Sequence, residues 1–148
     1  MNSYNKILIK NARTVGLEEA DIAVENGKIA AIGEIKDFKA ELVIDAGGLT
    51  ASAGLIEIHT HGGNGIDIVH SSDAEFDELT KFYASCGVTS FLPTIGTSED
   101  RVMKNAEEKI VRVAKKGVKG SKPVGIHLEG PCLSLEYCGA QPTEQFKL

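Results

Sequence analysis

The sequence predicts an α/β protein in which a short β-rich segment precedes alternating strands and helices. The first observation is the pattern of residues 5–52, where short runs of alternating apolar and polar residues are separated by turn residues. The second is the strand, helix, strand, helix, strand order of residues 54–131. The third is a pair of histidines, His59 and His61, at the end of the first strand of that series. Together these observations favour a small sheet followed by parallel strands that carry a polar site at their ends.

The β-rich segment contains four predicted strands and one strong turn signal. The dipeptide Asn26-Gly27 separates two of the strand-like runs, and both positions of such a turn need a positive φ, which asparagine and glycine adopt readily. None of these residues is an obvious catalyst, and a sheet of this size is expected to pack on another element. The four predicted strands are residues 6–10, 20–25, 28–33 and 41–46.

The second segment alternates strands with amphipathic helices, which implies parallel strand pairing through crossover connections. A first helix is expected to begin at Ser71 or Ser72 and a second at Thr97 or Ser98, because serine and threonine are good N-caps. Glycines at positions 87 and 117 end them. The buried stripe of the first helix is predicted to be Phe76, Leu79, Phe82 and Tyr83; the strands are predicted at residues 55–58, 88–94 and 123–131.

His59 and His61 are the principal metal-ligand candidates. Successive side chains of a strand alternate between its two faces, so the two imidazoles lie on one face at the strand end. Glu129 lies at the end of the third strand, and parallel strands place their C-terminal ends around one mouth. Two imidazoles and one carboxylate suit a divalent metal such as zinc or iron. The plainer interpretation is a pair of hydrogen-bonded histidines and a carboxylate paired with lysine or backbone amides; His127 is expected to be packed and hydrogen-bonded.

Composition and charge exclude several functional classes. The chain of 148 residues has a formal net charge of -5 and no run of basic residues, which argues against a nucleic-acid or membrane-surface partner. Three cysteines form neither an even set nor a CxxC pair, so a disulfide framework is not expected. No signal peptide or membrane span is predicted. We therefore expect a soluble cytoplasmic protein.

Three segments resemble the amidohydrolase superfamily and, within it, the N-acetylglucosamine-6-phosphate deacetylases. The segment GLIEIHTHG at residues 54–62 is shared across the superfamily. The segments GVTSFLPT at 87–94 and GIHLEGP at 125–131 are particular to the deacetylases. The resemblance implies that residues 53–148 form the first three βα units of an incomplete (β/α)8 barrel of the TIM type. It also implies that residues 1–52 form the N-terminal part of a small β-sandwich-like domain.

The resemblance also implies a reaction and the residues that perform it. His59, His61 and Glu129 match metal ligands, and Ala140 and Gln141 match a segment that lines the amino-sugar pocket. The implied reaction is metal-dependent hydrolysis of the acetamide of N-acetylglucosamine 6-phosphate, with one or two zinc or iron ions, in a protein that is a homodimer at full length. Position 141 carries glutamine where a histidine is expected; glutamine can hydrogen-bond a sugar but cannot titrate near neutral pH.

The length of the chain limits what it is expected to do alone. Three strands are present of the eight that close such a barrel, and the general-base aspartate is expected beyond Leu148. We therefore expect little or no deacetylase activity from this polypeptide, with open sheet edges that favour association. The alternatives are another amidohydrolase, such as a dihydroorotase-like enzyme, and a truncated barrel relative that acts as a non-catalytic module.

Overall fold

The computed structural model of the chain describes residues 4–16 and 19–147. Positions 1–3, 17–18 and 148, which the two predicted domains include, lie outside the described residues. The chain divides into two compact units, Met1–Ala53 and Gly54–Leu148.

The first unit is a five-stranded sheet. Its strands are β1 (Lys6–Thr14), β2 (Glu19–Glu25), β3 (Lys28–Gly33), β4 (Leu42–Asp45) and β5 (Thr50–Ala51). They are arranged in the order β3-β2-β1-β4, with β5 also paired to β1. β1 pairs with β2 and β2 with β3 in antiparallel fashion, whereas β4 and β5 run parallel to β1. The predicted hairpin turn is confirmed, because Asn26 and Gly27 have φ values of 52° and 74°.

β1 is longer than the sequence predicted, because a bulge carries it beyond residue 10. The register between β1 and β2 shifts between Ile9 and Ala12, and Asn11 there has a φ of 55°. The side-chain amide of Asn11 donates a hydrogen bond of 2.8 Å to Asp45 Oδ1, which stabilises the bulge. Such a residue breaks the alternation of apolar and polar side chains, so the pattern in the sequence ends before the strand does.

The second unit alternates strands and helices, and the mixed α/β prediction is confirmed. The elements are β6 (Leu55–Thr60), β7 (Gly62–Gly63), β8 (Ile66–Asp67), α1 (Asp73–Ser85), β9 (Val88–Gly96), α2 (Asp100–Lys116), β10 (Lys122–Pro123) and β11 (His127–Glu129). β6 and β11 each pair with β9 in parallel, as does the short strand β10. Two short 3₁₀ turns follow, Leu135–Tyr137 and Thr143–Gln145. None of the helices in the described ranges is long and apolar enough to cross a membrane.

The core of the second unit lies between β9 and the two helices. Phe91 and Ile95 of β9 are fully buried on this face, and the ring centroids of Tyr83 and Phe91 lie 4.9 Å apart. Because side chains alternate along a strand, Thr94 and Gly96 lie on the opposite face. The helices contribute Phe76, Leu79 and Tyr83 from α1 and Met103, Ala106, Ile110 and Val113 from α2.

Three predicted details of this unit are wrong. Helix α2 begins at Asp100 with Glu99 as its N-cap, because Thr97 is used elsewhere: its hydroxyl donates to the carbonyl of Glu129 at 3.2 Å. The third strand is interrupted between β10 and β11. Phe82 is only partly buried, and Thr80 takes a fully buried place on α1 with its hydroxyl bonded to the carbonyl of Asp77.

The N-terminus of α1 gives a first testable prediction. Ser72 is the N-cap and forms a capping box with Glu75, whose carboxylate accepts from the Ser72 backbone N–H at 2.7 Å. We expect Ser72→Ala to lower the free energy of unfolding by about 1 kcal/mol in chemical denaturation. Ser98→Ala is the matched control, since no side chain caps α2 by hydrogen bonding. Equal losses of unfolding free energy in the two variants would contradict the assignment of Ser72 as the N-cap of α1.

The same capping box predicts a dependence on pH. Hydrogen bonds from the backbone and side chain of Ser72 lower the pKa of Glu75 from its ordinary 4.5. The folded chain therefore binds this proton less tightly than the unfolded chain. The stabilisation of the folded state by the capping box is present above pH 4.5 and is lost as the pH falls through the lowered pKa of Glu75 in the folded chain.

Candidate metal centre

The three predicted metal ligands lie together at the ends of two parallel strands. One ligand atom from each of His59, His61 and Glu129 lies within 4.8 Å of the others. Glu129 Oε2 is 3.4 Å from His59 Nε2 and 3.0 Å from His61 Nε2. The imidazoles are about half exposed, at 48% and 50%, while the Glu129 side chain is 27% exposed, so an ion can reach the group from solvent. In the described part of the chain, the cluster consists of these three residues.

The carboxylate oxygen at the centre of this group lacks a hydrogen bond. Glu129 Oε2 is buried and has no hydrogen-bond partner among the described residues, although two imidazole nitrogens lie within 3.4 Å of it. A buried carboxylate oxygen without a partner costs free energy, and a cation bound between the three donors would remove that cost. The donor set therefore fits a divalent metal.

An irregular end of β6 supports the two histidines. The register of β6 against β9 shifts between Glu57 and Thr60. The backbone N–H of His59 donates to the carboxylate of Glu57 at 2.8 Å, and that of Thr60 donates to the hydroxyl of Thr94 at 2.9 Å. Both bonds go to side chains, as expected where a bulge interrupts a ladder.

The side chain of Thr60 lies on the side of β6 that α1 covers. Its hydroxyl is 2.7 Å from the hydroxyl of Tyr83. Burial raises the pKa of Tyr83, so the phenol remains protonated at neutral pH. Alternation along the strand then places His59 on the opposite side, toward Glu129.

Gln141 lies beside the cluster, whereas no contact brings Ala140 to it. The Oε1 atom of Gln141 accepts a hydrogen bond of 2.8 Å from the backbone N–H of Thr97, directly after β9. A Cβ atom placed on Gly96 would lie 3.4 Å from Gln141 Oε1 and 3.6 Å from His61 Cε1, so glycine keeps the space between these side chains open. Ala140 is exposed.

The prediction for His127 is confirmed, and the remaining histidine, His70, lies outside the ligand cluster. The Nδ1 atom of His127 is 3.2 Å from the hydroxyl of Thr94, and its ring lies edge-on to that of His59 at a centroid distance of 4.7 Å. His127 is therefore packed and hydrogen-bonded. It lies on β11, two residues before the candidate ligand Glu129. His70 is exposed, and its backbone N–H donates to Asp67.

Sequence reasoning missed Thr94 and Gly96. Both lie on the face of β9 that the ligands share, in register with His127 and Glu129 of β11. The available signal was the alternation of side chains along residues 92–96, which puts positions 94 and 96 on one face of β9. That strand lies between the two strands that carry the candidate ligands.

Comparisons with known proteins point to one family of enzymes, although no protein-family model matches the chain. The chain is 30% identical over 123 residues to the N-acetylglucosamine-6-phosphate deacetylase of Vibrio furnissii, covering 83% of this chain and 31% of that protein. It is 31% identical over 135 residues to the N-acetylgalactosamine-6-phosphate deacetylase of Escherichia coli O157:H7, covering 88% and 34%. The crystal structure of N-acetylglucosamine-6-phosphate deacetylase from Pasteurella multocida matches with a TM-score of 0.85 and 27% identity, over 96% of this chain and 38% of that one.

These relatives are enzymes that hydrolyse amide bonds, so fold and sequence together place the chain among the amidohydrolases. Within that class, the chain belongs to the N-acetylglucosamine-6-phosphate deacetylase family. It spans about a third of the length of the curated relatives that it matches, 31% and 34% of the two proteins above.

Proposed function

We propose that His59, His61 and Glu129 hold a divalent cation, zinc or iron, in a metal-dependent deacetylase. The observation that carries the proposal is the convergence of three donor atoms within 4.8 Å, with one carboxylate oxygen left without a hydrogen bond. When bound, the metal would polarise the acetamide carbonyl and lower the pKa of water so that hydroxide is available near neutral pH. Three protein ligands leave room for water and substrate.

The residues of this chain would orient the substrate beside that ion. We propose that the substrate is an N-acetylated amino-sugar 6-phosphate, which is hydrolysed to acetate and the free amine. The Oε1 atom of Gln141 is engaged by the Thr97 N–H, so its Nε2 amide remains to donate to a sugar or phosphate oxygen. Ala140, the preceding residue, would line the same pocket through its backbone and methyl group.

The architecture around the site supports an incomplete barrel. We propose that residues 53–148 supply the first three βα units and residues 1–52 part of a small β-sandwich-like domain, in a protein that is a homodimer at full length. Ile56 and Ile58 of β6 and Val124, directly after β10, are 67%, 65% and 61% exposed. Apolar side chains so exposed on a sheet indicate that further elements cover them. The general-base aspartate would come from those elements, since none joins the cluster within the described residues.

Two assays test this function. The 148-residue chain loaded with Zn²⁺ or Fe²⁺ is expected to release no acetate from N-acetylglucosamine 6-phosphate above the metal-only background. A chimera that carries residues 54–141 of this chain in the Vibrio furnissii enzyme is expected to hydrolyse the substrate. The same chimera should be assayed with N-acetylgalactosamine 6-phosphate, because both sugars occur among the relatives.

The controls separate misfolding from a wrong assignment. A chimera with His70→Ala should keep its activity, since His70 is exposed and is not part of the ligand cluster. A folded chimera that binds metal but hydrolyses neither sugar phosphate would contradict the proposed substrate class. Turnover by the 148-residue chain at the rate of the complete enzyme would contradict the proposal that the general base lies outside it.

A further inference from the structure

The junction between β6 and β9 has an unusual hydrogen-bonding arrangement directly beneath the candidate metal site. Glu57 pairs with Phe91 and Thr60 with Pro93, so three steps along β6 match two along β9. Proline has no N–H, so Pro93 cannot donate to β6 at this point. In addition to this ladder pair, the last residue of β6 is bonded to a side chain of β9, because Thr60 N–H donates to Thr94 Oγ1 at 2.9 Å.

One buried hydroxyl therefore connects the three strands around the site. Thr94 is fully buried, and its Oγ1 atom lies 2.9 Å from Thr60 N on β6 and 3.2 Å from His127 Nδ1 on β11. It also lies 3.5 Å from the carbonyl oxygen of Leu92 on its own strand. Thr60 lies between the two candidate ligand histidines, and His127 is two residues before Glu129. The Thr94 hydroxyl thus contacts each ligand-bearing strand at a residue no more than two positions from a candidate ligand.

We propose that Thr94 is a positioning residue, whose hydroxyl fixes the β6 bulge so that His59 and His61 converge on Glu129. The proposal rests on the metal centre proposed above but concerns a residue that provides no ligand atom. A bulge re-aims the side chains that follow it, and its geometry must be stabilised by bonds outside the ladder. With valine at position 94, the partly buried N–H of Thr60 would lose its side-chain acceptor, and His127 would lose its hydroxyl partner.

The test compares three variants of the 148-residue chain with the unmodified protein. Thr94→Val keeps the shape and removes the hydroxyl, whereas Thr94→Ser keeps the hydroxyl. Thr80→Val is the matched control, because Thr80 is equally buried but its hydroxyl bonds to Asp77 within α1. Two quantities are measured: hydrogen exchange of the Thr60 amide without metal, and binding of Co²⁺ followed by its visible absorption spectrum.

Thr94→Val is expected to speed exchange of the Thr60 amide by about tenfold or more, because its partly buried hydrogen bond to the Thr94 hydroxyl is lost. It is expected to weaken Co²⁺ binding by about 10- to 100-fold, as do changes in residues that support metal ligands, with an altered spectrum. Thr94→Ser should restore both quantities, and Thr80→Val should change neither. Unaltered Thr60 exchange and Co²⁺ affinity in Thr94→Val would overturn the proposal.

A second pair of variants applies if Thr94→Val fails to fold by circular dichroism. His127→Leu removes the β11 partner of the Thr94 hydroxyl, whereas His127→Asn retains a polar atom near the former Nδ1. The proposal requires weaker Co²⁺ binding by His127→Leu than by His127→Asn, and equal affinities would overturn it. An unmodified chain that binds no Co²⁺ would refute the metal centre, while Thr60 exchange still decides the role of Thr94.

Discussion

Replacing Glu129 with glutamine is expected to abolish high-affinity binding of divalent metals by this chain. Glu129 Oε2 lies 3.4 and 3.0 Å from the Nε2 atoms of His59 and His61, and it supplies the only negative charge in the ligand cluster formed by the described residues. A neutral amide oxygen is a far weaker ligand for zinc. We expect the loss in Zn²⁺ affinity to exceed about 100-fold, the upper end for changes in residues that only support ligands.

The measurement is Zn²⁺ affinity by competition with a chromophoric chelator, together with the denaturation midpoint with and without Zn²⁺. A metal present at 100 times its dissociation constant stabilises the folded state by about 2.7 kcal/mol, and Glu129→Gln should lose this gain. His70→Ala is the matched control for histidine content, since His70 is exposed and outside the cluster. Equal Zn²⁺ affinity in Glu129→Gln and the unmodified chain would exclude the proposed site.

The second large effect is expected at Lys109, a buried lysine of α2. Its side chain is 5% exposed, and Nζ donates to the carbonyls of Ile68, Val69 and Ser71 at 2.6, 3.1 and 2.8 Å. Lys109→Met keeps most of the apolar stem but removes the ammonium donor from all three carbonyls, and among the described residues only that of Ile68 keeps another bond, at 3.4 Å from the Ser71 hydroxyl. We expect the free energy of unfolding to fall by about 2 kcal/mol in urea denaturation.

The control for this variant lies on the same helix. Lys115 is exposed in the last turn of α2, so Lys115→Met should change the unfolding free energy by less than about 0.5 kcal/mol. A Lys109→Met variant as stable as Lys115→Met would show that the three carbonyl contacts contribute nothing.

Lys109 also gives the unmodified chain a specific pH dependence. Burial lowers its pKa from the ordinary 10.5, and Asp67 and Asp73 oppose part of that effect. The unfolded chain then binds this proton more tightly than the folded chain. The free energy of unfolding should therefore rise with pH between the lowered pKa of Lys109 in the folded chain and its ordinary value of 10.5. This rise should be absent in Lys109→Met.

The loop that Lys109 holds connects to the candidate site. Ile68, whose carbonyl accepts from Lys109, donates its own N–H to the carbonyl of His61 at 2.8 Å. Two hydrogen bonds made by Ile68 thus link the buried ammonium of Lys109 to the backbone of the candidate ligand His61. Nothing in the sequence around position 109 indicates this link, because a lysine on an amphipathic helix is usually solvent-exposed.

Much of the candidate site was predictable because it depends on short-range periodicity. His59 and His61 are two residues apart on one strand, and Glu129 ends another strand of the same parallel series. Strand alternation and the common polarity of parallel strands suffice to place such residues at one edge. The hairpin at Asn26 and Gly27 was predictable for the same reason, since its turn chemistry is local.

Contacts between distant residues account for what the sequence did not reveal. Thr97 could serve as an N-cap by its residue type, but Gln141 and Glu129 occupy its N–H and hydroxyl across separations of 44 and 32 residues. The helix accordingly begins later, at Asp100. Likewise the bulge at Asn11 requires an aspartate 34 residues away.

The sequence by itself determined the order of the strands and helices and the face on which each candidate ligand lies, because both follow from local periodicity and turn residues. Only the tertiary structure decided which polar groups support that site: the Thr94 hydroxyl, the amide of Gln141 and the ammonium of Lys109. Each of these groups finds its partners more than 30 residues away, at Thr60, Thr97 and residues 68–71. Hydrogen-bond partners in a folded core are fixed by the packing of whole elements, which no local pattern of residues encodes.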